Sequence, residues 1–226
     1  QITANMVPGF RDIKLLRKYS ELQKLKNMAE CLAHGITNIR DAFSEDLRSS
    51  WALRKMISVG RIPGPRFVQS VVVGPPNSYL AEKYRLAKRV ANFGLRIPKV
   101  DHSRGEAGVL EFPIDATAQQ VRDAVDQAID ERGAEAIKIG EQRESLYTFK
   151  PNLTIMTLGQ LEALADQARR RGMKSLMHHF SAESFRRGVK AGVSSLSHVA
   201  IDSNLTQQDI ADFKAAGCAI EPTISV

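Results

Sequence analysis

The chain has 226 residues, 43% of them hydrophobic and 25% charged, enough for one large domain or two small ones around a substantial core. Its 32 lysines and arginines outnumber 25 aspartates and glutamates, but the net charge of +7 is spread along the chain without an aromatic-basic motif, so nucleic acid is not the expected partner. No apolar run reaches membrane-spanning length, the start shows no signal-peptide pattern, and Cys31 and Cys218 form neither a CxxC pair nor a disulfide framework, so the expectation is a cytoplasmic protein without a membrane partner.

In chain order, the densest basic stretch, Lys14 to Lys26, reads as a solvated helix face, and Leu22, Leu25, Ala29 and Leu32 recur at helical spacing behind it. His34 follows at the helix end, where a cation meets the helix dipole favourably. Gly35–Asp41 is a short β-type run in which Arg40 and Asp41 read as a local ion pair. The turn Pro63-Gly64-Pro65 leads into a second strand over Arg66–Val73. The segment from Gly74 to Ile114 is the least regular, with an amphipathic stretch over Leu80–Val90 and a loop-like cluster holding His102.

Order returns at Thr117, which with Gln120 has capping-box spacing ahead of the apolar face Val121, Ala124, Val125, Ala128 and Ile129. Gly133 ends that helix, and Ala136–Gly140 is a strand carrying Lys138. Thr157 and Gln160 open a further helix closed by Gly172, with Arg169 to Arg171 on its solvated end, and the strand to His178 follows. A shorter helix over Ser184–Ala191 ends at Gly192 and leads to the strand ending at His198. Thr206 caps the helix Asp209–Ala216, and Cys218–Thr223 is a last strand. Alternating β and α units predict a parallel sheet, and their even spacing predicts a barrel.

In a parallel α/β barrel the carboxyl ends of successive strands face one mouth. Lys138, His178 and His198 each stand at or near the end of a strand, one helix apart, and so are the candidate functional residues. Adjacent residues of a strand point to opposite faces, which sets His178 inward and His179 outward as a satisfied core-edge histidine. Arg143 and Tyr147 lie in the loop after Lys138, where barrel substrates are touched.

Several phrases carry a resemblance when taken together: Pro8-Gly9-Phe10-Arg11-Asp12, Gly35 to Asp41, Gly64-Pro65-Arg66, Ala136-Ile137-Lys138-Ile139, Gly172-Met173-Lys174 leading to His178, Ala191-Gly192-Val193 leading to Ser197-His198, and Glu221-Pro222-Thr223. From Val7 onward the chain resembles the amidohydrolase superfamily, in its imidazolonepropionase-like and prolidase-like branch. The resemblance implies a (β/α) TIM-type barrel with zinc or a similar divalent metal at its mouth. Lys138 would be a carbamylated lysine on the fourth strand, His178 the fifth-strand ligand and His198 the sixth. It implies hydrolysis of a C–N bond in a small amide or peptide-like substrate.

The chain also departs from the family pattern. Lys14 and Leu16 stand where the first strand of the family ends in a His-x-His pair, and neither a protonated lysine nor a leucine can ligate a cation. No aspartate follows Asp212 to serve as the eighth-strand base, and the usual β-sandwich domain has no counterpart. The reading is therefore a single barrel domain over residues 1–226, roughly strands one to seven, incomplete at its C-terminal end. Two functions stay open: a metal-dependent hydrolase resting on Lys138, His178 and His198, or a non-catalytic member that keeps the barrel as a binding scaffold. Exposed strand edges in an unclosed barrel predict self-association.

Overall fold

A computed structural model describes residues 13–42, 44, 47–79, 81, 108–145 and 150–223, without the side chains of 13–21, and the β-strands among these residues lie in one all-parallel sheet. The strands are β1 (Asn38–Asp41), β2 (Arg66–Gly74), β3 (Val109–Glu111), β4 (Ala136–Gly140), β5 (Lys174–His178), β6 (Ser195–Ser197) and β7 (Ala219–Glu221). They are hydrogen-bonded in the order β1-β2-β4-β5-β6-β7, with β3 added to the far end of β2. The helices are α1 (Ile13–Ala33), α2 (Leu47–Ser58), α3 (Ala118–Asp130), α4 (Leu158–Arg170), α5 (Ala182–Ala191) and α6 (Gln207–Ala215). Among the described residues no helix is long and apolar enough to cross a membrane.

Side-chain alternation divides the two faces of the sheet. Val71, Val73, Ile137, Ile139, Met177 and Leu196 turn toward the helices and pack with Val121, Val125, Leu161, Leu164 and Phe185 in the main core. Each such side chain, fully buried, contributes about 1.5–3 kcal/mol of transfer free energy. The other face of the same strands carries Lys138, His178, Ser195 and Ser197, all buried. A sheet that is apolar toward its helices and polar on the opposite face has the layout of a barrel whose interior opens into a site.

The helices begin where the sequence says they should. Thr117, Thr157, Ser181 and Thr206 each accept from the backbone N–H three residues on and are bonded in return by that residue's side chain. Gly192 ends α5 with φ 74, a conformation that suits glycine. Gly188 has a different use: a Cβ there would meet Met177 Cε at 2.6 Å and Leu196 Cδ2 at 2.7 Å, so its bare backbone lets α5 press against the sheet.

Two expectations are corrected here. Residues 14 and 16, read as the end of a first strand, lie in α1, which already runs from Ile13; what precedes them lies outside the described residues. The comparison of Lys14 and Leu16 with strand-end ligands therefore fails, because a helix does not present alternate residues to one side as a strand does. Arg40 and Asp41 are not a local ion pair. Adjacent residues on β1 diverge, so Arg40 pairs with Glu221 of β7 while Asp41 accepts from Gln69 Nε2. The strand β3 was not expected: three residues in the irregular segment are too short for a periodic signal. The stretch 82–90, the His102 loop and Tyr147 lie outside the described residues.

Candidate active site

The register sets which side chains meet. Lys138 is level with Leu176 on β5, while His178 is level with Ser197 on β6 and, through it, with Glu221 on β7. Lys138 reaches along this step, and its Nζ donates to Ser197 Oγ at 3.1 Å. Burial pushes the Lys138 amine down to about 8; the Glu221 carboxylate opposes that shift and the Arg40 guanidinium adds to it. Glu221 in turn accepts from Ser195 Oγ at 2.9 Å and is paired with Arg40, which ties the two outermost strands of the ladder together through side chains.

His178 is fixed on several sides. Tyr79 stacks on its ring at 3.9 Å and 8°, Phe180 meets it edge-on at 4.8 Å, and Nε2 lies 2.6 Å from Gln142 Oε1. The Gln142 amide donates to the Glu144 carbonyl, which leaves its oxygen for the imidazole. Nε2 therefore carries a proton and donates it to the Gln142 oxygen.

His198 follows β6 directly, at φ 76, unusual for a residue with a side chain. Its backbone N–H donates to the Glu221 carbonyl at 2.8 Å, and its Nδ1 lies 2.7 Å from Thr223 Oγ1. Burial lowers its pKa, Lys138 lowers it further and Glu221 opposes them. The rings of His178 and His198 stand edge to face, centroids 4.7 Å apart. Lys138, His178 and His198 thus come to one end of three neighbouring strands, as the sequence reading expected.

His179 does point the other way, toward Phe185 of α5. It is not satisfied, however: it is fully buried and neither ring nitrogen has a hydrogen-bond partner. Burial holds it down at about 4, so it stays neutral, and its ring packs as an apolar plate. Arg143 is half exposed and pairs with Glu183 at 3.5 Å, and His34 lies exposed just past α1. Gln142, Tyr79 and the Arg40–Glu221 pair were missed by sequence reasoning. For Gln142 the available signal was its place four residues after Lys138, in a strand-end loop.

Similar folds occur in solved structures. The chain aligns over 99% of its length with 50% of a Xaa-Pro dipeptidase with bound methionine in its active site, at a TM-score of 0.66 and 21% identity. It aligns over 95% of its length with 48% of the A. niger ochratoxinase, at 0.66 and 21%, and over 90% with 46% of an amidohydrolase, at 0.61 and 19%. The chain has the amidohydrolase fold. It spans about half the length of these amidohydrolase-fold chains. No protein-family profile matches the sequence, and no curated protein matches it.

Proposed function

We propose that the chain belongs to a metal-dependent hydrolase of C–N bonds in small amide or peptide-like substrates, with Lys138, His178 and His198 as the residues that hold the ion. The observation that carries this reading is their convergence at one end of β4, β5 and β6 on an amidohydrolase fold. The donor chemistry fits. A metal-bound imidazole keeps its second nitrogen protonated against an acceptor, and Gln142 and Thr223 stand in that position for His178 and His198. A lysine amine brought down to about 8 has a large neutral fraction in mildly alkaline solution, the form that reacts with carbon dioxide to give an anionic carbamate. Among the described residues no three His, Cys, Asp or Glu side chains gather around one point, and this reading takes the third donor from the lysine.

Zinc or a similar divalent ion would supply an activated water and polarise the scissile carbonyl. Around it the chain's own groups have separate tasks. Tyr79 and Gln142 hold the His178 ring in one orientation and one tautomer. Ser197 and Glu221 hold Lys138 at the inner face of the sheet. We take residues 1–226 as one barrel-type domain of the cytoplasm, and the outer edge of β7, unpaired among the described residues, as a surface for a second copy.

A specific observation favours the scaffold alternative: Arg40, Glu221, Ser195, Ser197 and Lys138 satisfy one another as a closed polar set. Hydrolysis separates the two readings. The zinc- and bicarbonate-treated chain should release amine from a panel of N-acyl amino acids and dipeptides, and Lys138→Ala should abolish that release. A zinc-containing chain that hydrolyses none of the panel supports the scaffold reading instead.

A further inference from the structure

The segment that follows β4 sends its side chains two ways. Gln142 meets the His178 ring, while the residues on either side of it bond to α5. Glu141 Oε1 accepts from Arg187 Nε at 2.7 Å, and Arg143 pairs with Glu183 at 3.5 Å. Glu183 and Arg187 stand four apart in α5 and so share one face of it. The pairs have opposite polarity. Exchanging partners would set Arg143 against Arg187 and Glu141 against Glu183, so the order of charges fixes which loop residue meets which turn of the helix.

The two pairs are not equal. Arg143 and Glu183 are both exposed, and a pair in water contributes little. Arg187 is mostly covered and Glu141 is only 1% exposed, so the second pair is shielded from solvent. The Arg187 guanidinium makes another bond as well: Nη2 donates to the carbonyl of Met156, the residue before the Thr157 cap of α4. Burial raises the Glu141 carboxyl, and Arg187 and a backbone bond from Met156 oppose that shift. One side chain of α5 thus fastens both ends of the loop between β4 and α4. The Glu141 N–H also donates to the His178 carbonyl at 3.1 Å, so Glu141 is fixed by backbone and side chain together, and Gln142, the next residue, is aimed at the imidazole.

We propose that Arg187 is a positioning residue: by fastening the loop at Glu141 and Met156, it holds Gln142 against His178 Nε2. Its consequence for catalysis rests on the hydrolase reading; the positioning itself does not. Arg186, its neighbour on α5, is a matched control. Its guanidinium also makes two bonds, Nε to Asp209 Oδ1 at 2.7 Å and Nη2 to Asp209 Oδ2 at 3.0 Å, but these run to α6 instead of the loop.

The test compares Arg187→Lys with Arg186→Lys. Each keeps the positive charge beside its carboxylate and loses the planar fork that makes two bonds at once. The readout is the Nε2-bound proton of His178, observed by NMR in the full chain labelled with nitrogen-15 histidine and without added metal; the melting temperature is recorded beside it. The unaltered chain should show this proton protected from exchange with water. Arg187→Lys should lose the signal and Arg186→Lys should keep it, although both lower the melting temperature. A signal kept in Arg187→Lys, lost in both variants, or unprotected in the unaltered chain overturns the proposal. A second measurement needs no variant. The Leu153 N–H is bonded to the Arg143 carbonyl across the loop, and below the unfolding transition in urea it should exchange with the same opening free energy as the His178 ring proton. A ring proton that exchanges independently of the loop overturns the proposal too. A chain that gives the predicted exchange yet takes up no zinc removes the hydrolase reading and leaves Arg187 in this role.

Discussion

Lys138, His178 and His198 are ordinary side chains given unusual surroundings. The lysine is pushed down to about 8 because it is buried on the inner face of β4. Gln142 acts on His178 through a single short bond, and the Glu144 carbonyl fixes which end of the amide faces the ring. Gln142→Leu should therefore weaken zinc binding about 10–100-fold, as loss of an outer hydrogen bond to a ligating histidine commonly does, measured by competition with a chromophoric chelator. An unchanged affinity would show that the ring contacts of His178 orient it without the Gln142 bond. The three candidate residues were legible because each stood at or near the end of a strand-like run at a regular interval. Gln142 was not read, because its only signal was a place in the loop after β4, which does not single out a glutamine until the imidazole beside it is seen. His179 was legible in direction only, since alternation along β5 gives the face but not the lack of partners on it.

At the scale of elements, the capping boxes and the alternation of apolar runs made α3 to α6 and β4 to β7 readable in advance. Elements without such punctuation were misread: β3 is only three residues long, and the start of α1 was placed by family phrase where helix begins. The cap of α6 also gives a pH test. Two bonds from Arg186, with the Thr206 backbone N–H as a further donor, hold the Asp209 carboxyl well below the usual aspartate range. A depressed carboxyl contributes its full stability above the unfolded value of about 4 and loses it as the pH falls below that. Asp209→Asn should therefore flatten the acid limb of the melting temperature below about pH 4 relative to the parent. A parallel limb in the two proteins would mean that other carboxyls dominate acid unfolding.

At the scale of the molecule, the sheet is held at its ends by one ion pair instead of a ladder: Arg40 on β1 meets Glu221 on β7, while among the described residues β1 pairs only with β2 and β7 only with β6. Ile220, the middle residue of β7, is 41% exposed. Sedimentation velocity should show concentration-dependent self-association of the chain, and Ile220→Lys should shift it toward monomer, as a charge on a strand edge does. A monomer at all concentrations would contradict association through this edge. Barrel class was legible from rhythm alone, whereas the pairing across the sheet ends was not, because sequence spacing says nothing about which distant strands curl toward each other.

The central claim, that Lys138, His178 and His198 together hold a divalent ion, is tested most directly by elemental analysis. The chain would be incubated with zinc and bicarbonate, dialysed and compared with Lys138→Ala, His178→Ala and His198→Ala. The account predicts near-stoichiometric zinc in the parent and loss in each folded variant; a folded parent that stays free of metal, or variants that keep it, would contradict the account.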